Sequence, residues 1–326
     1  MLSYTACPDY SGKSHLSADK AGLAGKTLLQ ALLFFLFVSG TQAQPSDQIV
    51  EHNGAKIHYR IVGDGEPILL LSGGPGFSLD YMTPIADLLS NSFQCILLDQ
   101  RGTGKSIVPT YDTNYINISA TLEDIEFLRK HLGYDEWIIL GHSVGCLIAS
   151  KYASDYPSSV SSLLLVETVG FNTSLWDYFG DNLWSRLLPS DKELAEYWMD
   201  SIILANDFNR AMFEYQKAIM PAYFYDRKIS LLFTQKMKPE EWNIDVWKLI
   251  WRDMIKINLS ETSRGYHKPV LVLHGRQDPV GELIPMIVSQ TYPNSKIVFI
   301  EQAGHLPWLE QPEVFTEAII LFLNNR

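Results

Sequence analysis

A chain of 326 residues is longer than one compact core usually holds, unless that core is built on a large α/β sheet. Apolar residues make up 46% and charged residues 19%, the ordinary balance of a soluble globular protein. The formal net charge of −11 excludes nucleic acid as a partner, because phosphate binding needs clustered Lys and Arg, and an acidic surface of this kind serves solubility.

The N-terminus reads as an export signal. Lys13, Lys20 and Lys26 precede an apolar run from Leu28 to Val38, broken only by Gln30, and Ser39-Gly40-Thr41-Gln42-Ala43-Gln44 follows with Ala43 before the cut. The apolar run is too short to span a bilayer comfortably. Residues 1–43 are therefore expected to be removed, leaving a secreted or periplasmic protein with no stable membrane span. A membrane-anchored form is the alternative. Cys7, Cys95 and Cys146 make no disulfide framework, and the last two suit buried thiols.

From Gln48 the pattern is strand-like. Ile49–His52, the Asn53-Gly54 turn signal and Lys56–Val62 predict an antiparallel hairpin. Four continuous apolar runs follow, at Ile68–Leu71, Cys95–Leu98, Trp137–Leu140 and Leu163–Val166, as expected of strands buried on both faces of a parallel sheet. Helical patterns stand between them at Tyr81–Ser90, Ala120–His131 and Val144–Tyr156. This alternation predicts βαβ crossovers and a doubly wound sheet.

Residues 168–267 break the alternation. They carry no clear strand and six of the eight tryptophans, and they predict a helical lid. The βα pattern resumes with Val270–His274, a helix near Glu282–Thr291, the strand Lys296–Ile300 and a last helix from Pro312 to Leu323. One sheet over residues 44–167 and 268–326, interrupted by an insertion, is the simplest organisation.

Gly141-His142-Ser143-Val144-Gly145 is a G-x-S-x-G element between an apolar strand and a helix. Such a corner lifts the serine hydroxyl to the top of the sheet, where the helix N-terminus favours developing negative charge. The α/β-hydrolase fold that uses this corner places an acid and then a histidine after later strands. Here they are Asp278 in Gly275-Arg276-Gln277-Asp278-Pro279 and His305 in Ala303-Gly304-His305-Leu306-Pro307. Ser143 is the expected nucleophile. The oxyanion donors are expected to be the backbone N–H groups of Val144 and Gly74, since Pro75 has none. By alternation His142 is expected to point away from the site, and His274 to be structural.

Gly104-Lys105-Ser106 looks like the end of a phosphate-binding loop, but Asp99 stands where that loop needs glycine, so Asp99 and Arg101 are read as turn stabilisers. No His or Cys pair has metal-ligand spacing, and no cofactor is implied.

Gly73-Gly74-Pro75-Gly76, Asp99-Gln100-Arg101-Gly102-Thr103-Gly104-Lys105-Ser106 and the serine corner together resemble the proline iminopeptidase branch of the α/β-hydrolases. Two departures stand out. Ser72 replaces the histidine that usually precedes Gly-Gly-Pro-Gly, and the lid has no W-x-x-W-E segment. The resemblance implies an aminopeptidase that releases an N-terminal residue, often proline, from short peptides. Such an enzyme must neutralise a substrate ammonium, and Glu167 and Glu214 are the candidates. A carboxylesterase or lactonase of small hydrophobic substrates, and a non-catalytic ligand receptor on the same fold, are the alternatives.

Overall fold

The computed structural model describes residues 46–326. The expected signal over residues 1–43 lies outside the described residues. Strands β1 (Ser46–His52) and β2 (Ala55–Val62) pair antiparallel, with Ser46 opposite Ile61 and His52 opposite Ala55. The turn between them holds Asn53 at φ 46° and Gly54 at φ 75°. Both residues of this tight hairpin turn need positive φ, which is why the Asn-Gly pair was legible.

Six further strands complete one sheet: β3 (Glu66–Leu71), β4 (Phe93–Leu98), β5 (Trp137–His142), β6 (Val160–Val166), β7 (Val270–Gly275) and β8 (Ser295–Ile300). Their order is β1-β2-β4-β3-β5-β6-β7-β8, and every pairing from β3 onward is parallel. The chain runs outward from β3 to β4 and then crosses back to β5. The order therefore reverses between β3 and β5, and their carboxyl ends flank the crevice where sites form in such sheets.

Alternate strand residues feed two cores. Leu69 and Leu71 pack on one face with helices α2 (Ile118–His131) and α3 (Val144–Asp155). Ile68 and Leu70 pack on the other with α1 (Thr83–Leu89) and the last helix (Pro312–Asn324). Burial on both faces explains why these strands read as unbroken apolar runs.

Between β6 and β7 stand six helices: α4 (Trp176–Arg186), α5 (Pro189–Trp198), α6 (Ser201–Asn206), α7 (Phe208–Ile219), α8 (Arg227–Lys236) and α9 (Ile244–Met254). After β7 come α10 (Leu283–Thr291), the short α11 (Pro307–Glu310) and α12, the last helix. The insertion has small cores of its own, one around Leu183, Ala195 and Ala218, the other around Phe213, Trp242 and Ile244. Trp184 and Trp247 pack against these cores, while Trp176 and Trp251 lie 4.8 Å apart. Trp184, Trp242 and Trp247 thus serve cap packing, while Trp176 packs against the core of the sheet.

The cap is fastened to the sheet on two sides. Trp242 stacks on Phe77 at 5.4 Å and donates from Nε1 to the Pro75 oxygen at 3.0 Å, while Asn243 N–H donates to the Gly76 oxygen at 2.8 Å. Across the site, His305 N–H donates to the Tyr223 oxygen at 2.6 Å, and Asp226 N–H to Glu310 Oε1 at 2.7 Å. Among the described residues no helix is long and apolar enough to cross a membrane.

Candidate active site

Ser143 sits between the end of β5 and the start of α3 with φ 54° and ψ −119°. A non-glycine residue in that region is strained by on the order of 1–3 kcal/mol. The flanking glycines make the corner possible. A Cβ on Gly141 would run into the Gly145 carbonyl, and one on Gly145 into the Leu71 carbonyl. Gly73, just past β3, lies so close that a Cβ on it would stand 2.8 Å from Ser143 Cβ. The Gly-rich loop and the expected nucleophile thus share one corner of the crevice.

Asp278 and His305 follow β7 and β8, and His305 Nδ1 lies 2.7 Å from Asp278 Oδ2. The second Asp278 oxygen accepts the Val280 N–H at 2.7 Å. Burial alone would raise this carboxyl, but the facing His305 ring and its hydrogen bond outweigh burial and hold Asp278 well below the usual carboxylate range. An ionised Asp278 fixes the His305 proton on Nδ1 and leaves Nε2 as the acceptor.

The Gly73 N–H donates to the Tyr81 hydroxyl, and that hydroxyl lies 3.0 Å from His142 Nδ1. His142 Nε2 in turn lies 2.9 Å from the His305 carbonyl oxygen. A carbonyl can only accept, so Nε2 carries the proton and Nδ1 receives the Tyr81 O–H. Burial and the neighbouring His305 push the His142 pKa far down, so the ring stays neutral. Alternation does turn His142 away from Ser143. However, the face it turns to is the one crossed by the His305 loop, and the two rings are 4.8 Å apart. With Gly73 N–H committed to Tyr81, Gly74 and Val144 remain the candidate oxyanion donors. Val144 opens α3, where a first-turn N–H has no partner within the helix.

Glu167 does not meet the crevice, contrary to the expectation that it faces a substrate ammonium. It follows β6 at φ 52°, and this left-handed turn tucks the side chain into the protein with no exposed surface. Its Oε1 accepts the Gly275 N–H at 2.6 Å, and Oε2 lies 2.8 Å from His274 Nδ1. Polar atoms of Glu167, His274 and Asp278 all fall within 4.8 Å of one another. Two acids and a histidine could in composition hold a cation. Here the Gly275 and Val280 N–H groups and His305 Nδ1 already fill three of the four carboxylate oxygens, so the group is a hydrogen-bonded cluster around Asp278. Glu214, on α7, is also no free acid: Lys217 pairs with it at 3.0 Å.

The Asp-Gln-Arg-Gly-Thr-Gly segment acts as a brace. Asp99 accepts from Leu79 N–H at 2.7 Å and Lys105 N–H at 2.9 Å, and meets His58 Nδ1 at 2.7 Å. Arg101 is buried in a two-point pair with Asp124. Gln100 Nε2 donates to the Ser72 oxygen at 2.9 Å and to Ser72 Oγ at 3.1 Å, so the serine that replaces histidine is held from below.

Sequence reasoning missed Tyr81, Tyr223 and Glu310. Glu310 accepts the Gly304 N–H at 2.6 Å, next to His305, as well as the Asp226 N–H of the cap. The Tyr223 ring lies 5.2 Å from that of His305. Only Glu310, five residues past His305 at the end of a short helix, left any sequence signal.

A strained serine corner on a doubly wound sheet, with an Asp–His pair after the last two strands, is the arrangement of a hydrolase. The chain belongs to the alpha/beta hydrolase fold family, whose model matches residues 66–312. Among named relatives, a proline iminopeptidase of Clostridioides difficile (strain 630) is 27% identical over 286 residues, covering 83% of this chain and 95% of the relative. Among solved structures, the proline iminopeptidase of Mycobacterium smegmatis superposes with a TM-score of 0.67 at 19% identity, over 86% of this chain and 98% of that one. Est816, described as an N-acyl homoserine lactone degrading enzyme, superposes with a TM-score of 0.64 at 20% identity, over 84% of this chain and all of its own.

Proposed function

We propose that the protein cleaves carboxylic acyl bonds through an acyl-enzyme on Ser143. His305 Nε2 takes the serine proton and later returns it to the leaving group, while Asp278 holds the ring. The observation that carries this reading is the 2.7 Å bond between His305 Nδ1 and Asp278, at the same sheet edge as the strained serine. The Gly74 and Val144 N–H groups would stabilise the tetrahedral oxyanion, each by about 3 kcal/mol. A fluorophosphonate should label Ser143, and Ser143→Ala should lose both labelling and turnover. Labelling that survives in the variant would overturn the assignment.

The named relatives support a proline iminopeptidase type of aminopeptidase acting on short peptides. A specific observation favours a second reading, a carboxylesterase or lactonase of small hydrophobic substrates. An ammonium needs a free carboxylate to offset its desolvation, and Glu167 is buried while Glu214 is paired. A panel of prolyl amide, N-acetyl-prolyl amide and simple esters separates the two. Loss of cleavage on acetylation supports the peptidase. Equal turnover of blocked and free amides, with esters faster, establishes the esterase. Export through residues 1–43 belongs to the same proposal, and an intact mass starting near Gln44 would support it.

A further inference from the structure

Three groups meet beneath the triad, and only one of them enters the chemistry proposed above. Glu167 follows β6 directly, while His274 and Asp278 belong to β7 and the loop after it. All three are buried, and among the described residues no Lys or Arg forms an ion pair with either acid. The other groups facing Glu167 are the Gly275 N–H, the buried Cys146 thiol of α3 and, further off, Glu310. None of them is a cation, and burial drives the His274 pKa down to about 4, so that ring is neutral too.

Two carboxylates this close in a dry interior do not both stay ionised. The charge goes to the acid with the better partners. Asp278 has His305 Nδ1 and the Val280 N–H, whereas Glu167 has the Gly275 N–H on one oxygen. Its other oxygen, Oε2, has no well-formed hydrogen bond, because the nearby His274 nitrogen is out of line. A buried oxygen without a partner, beside an anion, is where a carboxyl proton belongs.

We infer that Glu167 is a positioning residue of the triad, carried as the neutral acid and donating a hydrogen bond from Oε2 to the Asp278 carboxylate. That bond would fix the rotation of Asp278 and with it the plane of the His305 ring. The inference rests on the acyl-enzyme reading. The chemical state agrees with the electrostatics: burial and the facing Asp278 charge push Glu167 well above the ordinary carboxyl range.

Glu167→Gln and Glu167→Ala test it. The amide keeps an acceptor for Gly275 N–H and a donor for Asp278, so kcat should stay within about threefold of wild type. Alanine strands two buried polar groups beside the triad, and kcat should fall roughly tenfold to a hundredfold with KM within about threefold. The infrared difference between wild type and Glu167→Gln at neutral pH should show a protonated carboxylic acid C=O band present only in wild type. That band needs only the Gln variant, so it remains decisive where the Ala variant fails to fold. Its absence, or a Gln variant as impaired as the Ala variant, would overturn the inference. Ser143→Ala reports separately on the triad: an active Ser143→Ala enzyme would sink the underlying reading instead.

Discussion

His142 donates from Nε2 to the backbone oxygen of His305 across 2.9 Å, and so the residue before the expected nucleophile supports the loop of the expected base. The same ring receives the Tyr81 hydroxyl, which in turn receives the Gly73 N–H. Donors and acceptors along this path are each used once. The glycine loop and the histidine loop are thereby tied together behind the crevice.

Tyr81→Phe would leave the Gly73 N–H and His142 Nδ1 without partners in a buried place. Stability should fall by about 1–3 kcal/mol, or roughly 2–4 °C in Tm per kcal/mol for a domain of this size. Because His142 stays neutral, the pH at which activity is half-maximal should not move. Thermal melts and a pH–rate profile check the two halves of this expectation.

The serine corner and the cap tolerate a methyl group very differently. Gly145→Ala would press Cβ against the Leu71 and Ser72 carbonyls and should cost several kcal/mol or prevent folding altogether, in the manner of other overpacked cores. Gly180→Ala, on the exposed α4 helix with nothing within 4 Å, should stabilise by up to about 1 kcal/mol. Denaturant unfolding of both variants gives the contrast.

Glu126, on α2, accepts from Arg129 at 2.7 and 2.9 Å and from the Tyr152 hydroxyl of α3 at 2.6 Å. Burial opposes its ionisation, but these partners prevail and bring its pKa down to about 2. A folded pKa below the unfolded one means the contribution is present above about pH 4.3 and is lost as pH falls through 2. Wild type should therefore exceed Glu126→Gln by roughly 1–3 kcal/mol at pH 6, and the gap should close near pH 2. Urea unfolding at several pH values measures it.

Glu310→Gln exchanges one of two acceptors for a donor that would face an N–H group. Either the Gly304 or the Asp226 N–H loses its partner, at a cost of about 1–3 kcal/mol. Amide hydrogen exchange should quicken at Gly304, Asp226 or both, and kcat should drop as the His305 loop loosens. Unchanged protection at both amides would refute the role given to this side chain.

Much of the fold was legible because burial on both faces writes β3 to β7 as apolar runs, and because the Asn53-Gly54 turn and the Gly141–Gly145 corner demand particular residues. That Asp278 and His305 would meet was legible from their place after late strands. What escaped depends on backbone direction and on long-range contact. The sequence marks Glu167 as the end of a strand, but the left-handed turn that drives it beneath Asp278 has no residue signature. Alternation predicts which face His142 takes, though not that the His305 loop crosses there. Tyr81 lies on the short 3-10 turn Leu79–Met82, with nothing in its surroundings to point 61 residues ahead to His142.

The bond from His305 N–H to the Tyr223 oxygen makes the roof of the crevice a bearing for the histidine beneath it. Gly304 permits this approach, since any side chain there would strike the Tyr223 carbonyl. Swinging the cap wide would unseat His305 as it admitted a substrate, so entry must leave the Tyr223 turn in place and pass between other parts of the cap. For the same reason, heat that loosens the cap should silence the enzyme while the sheet is still folded.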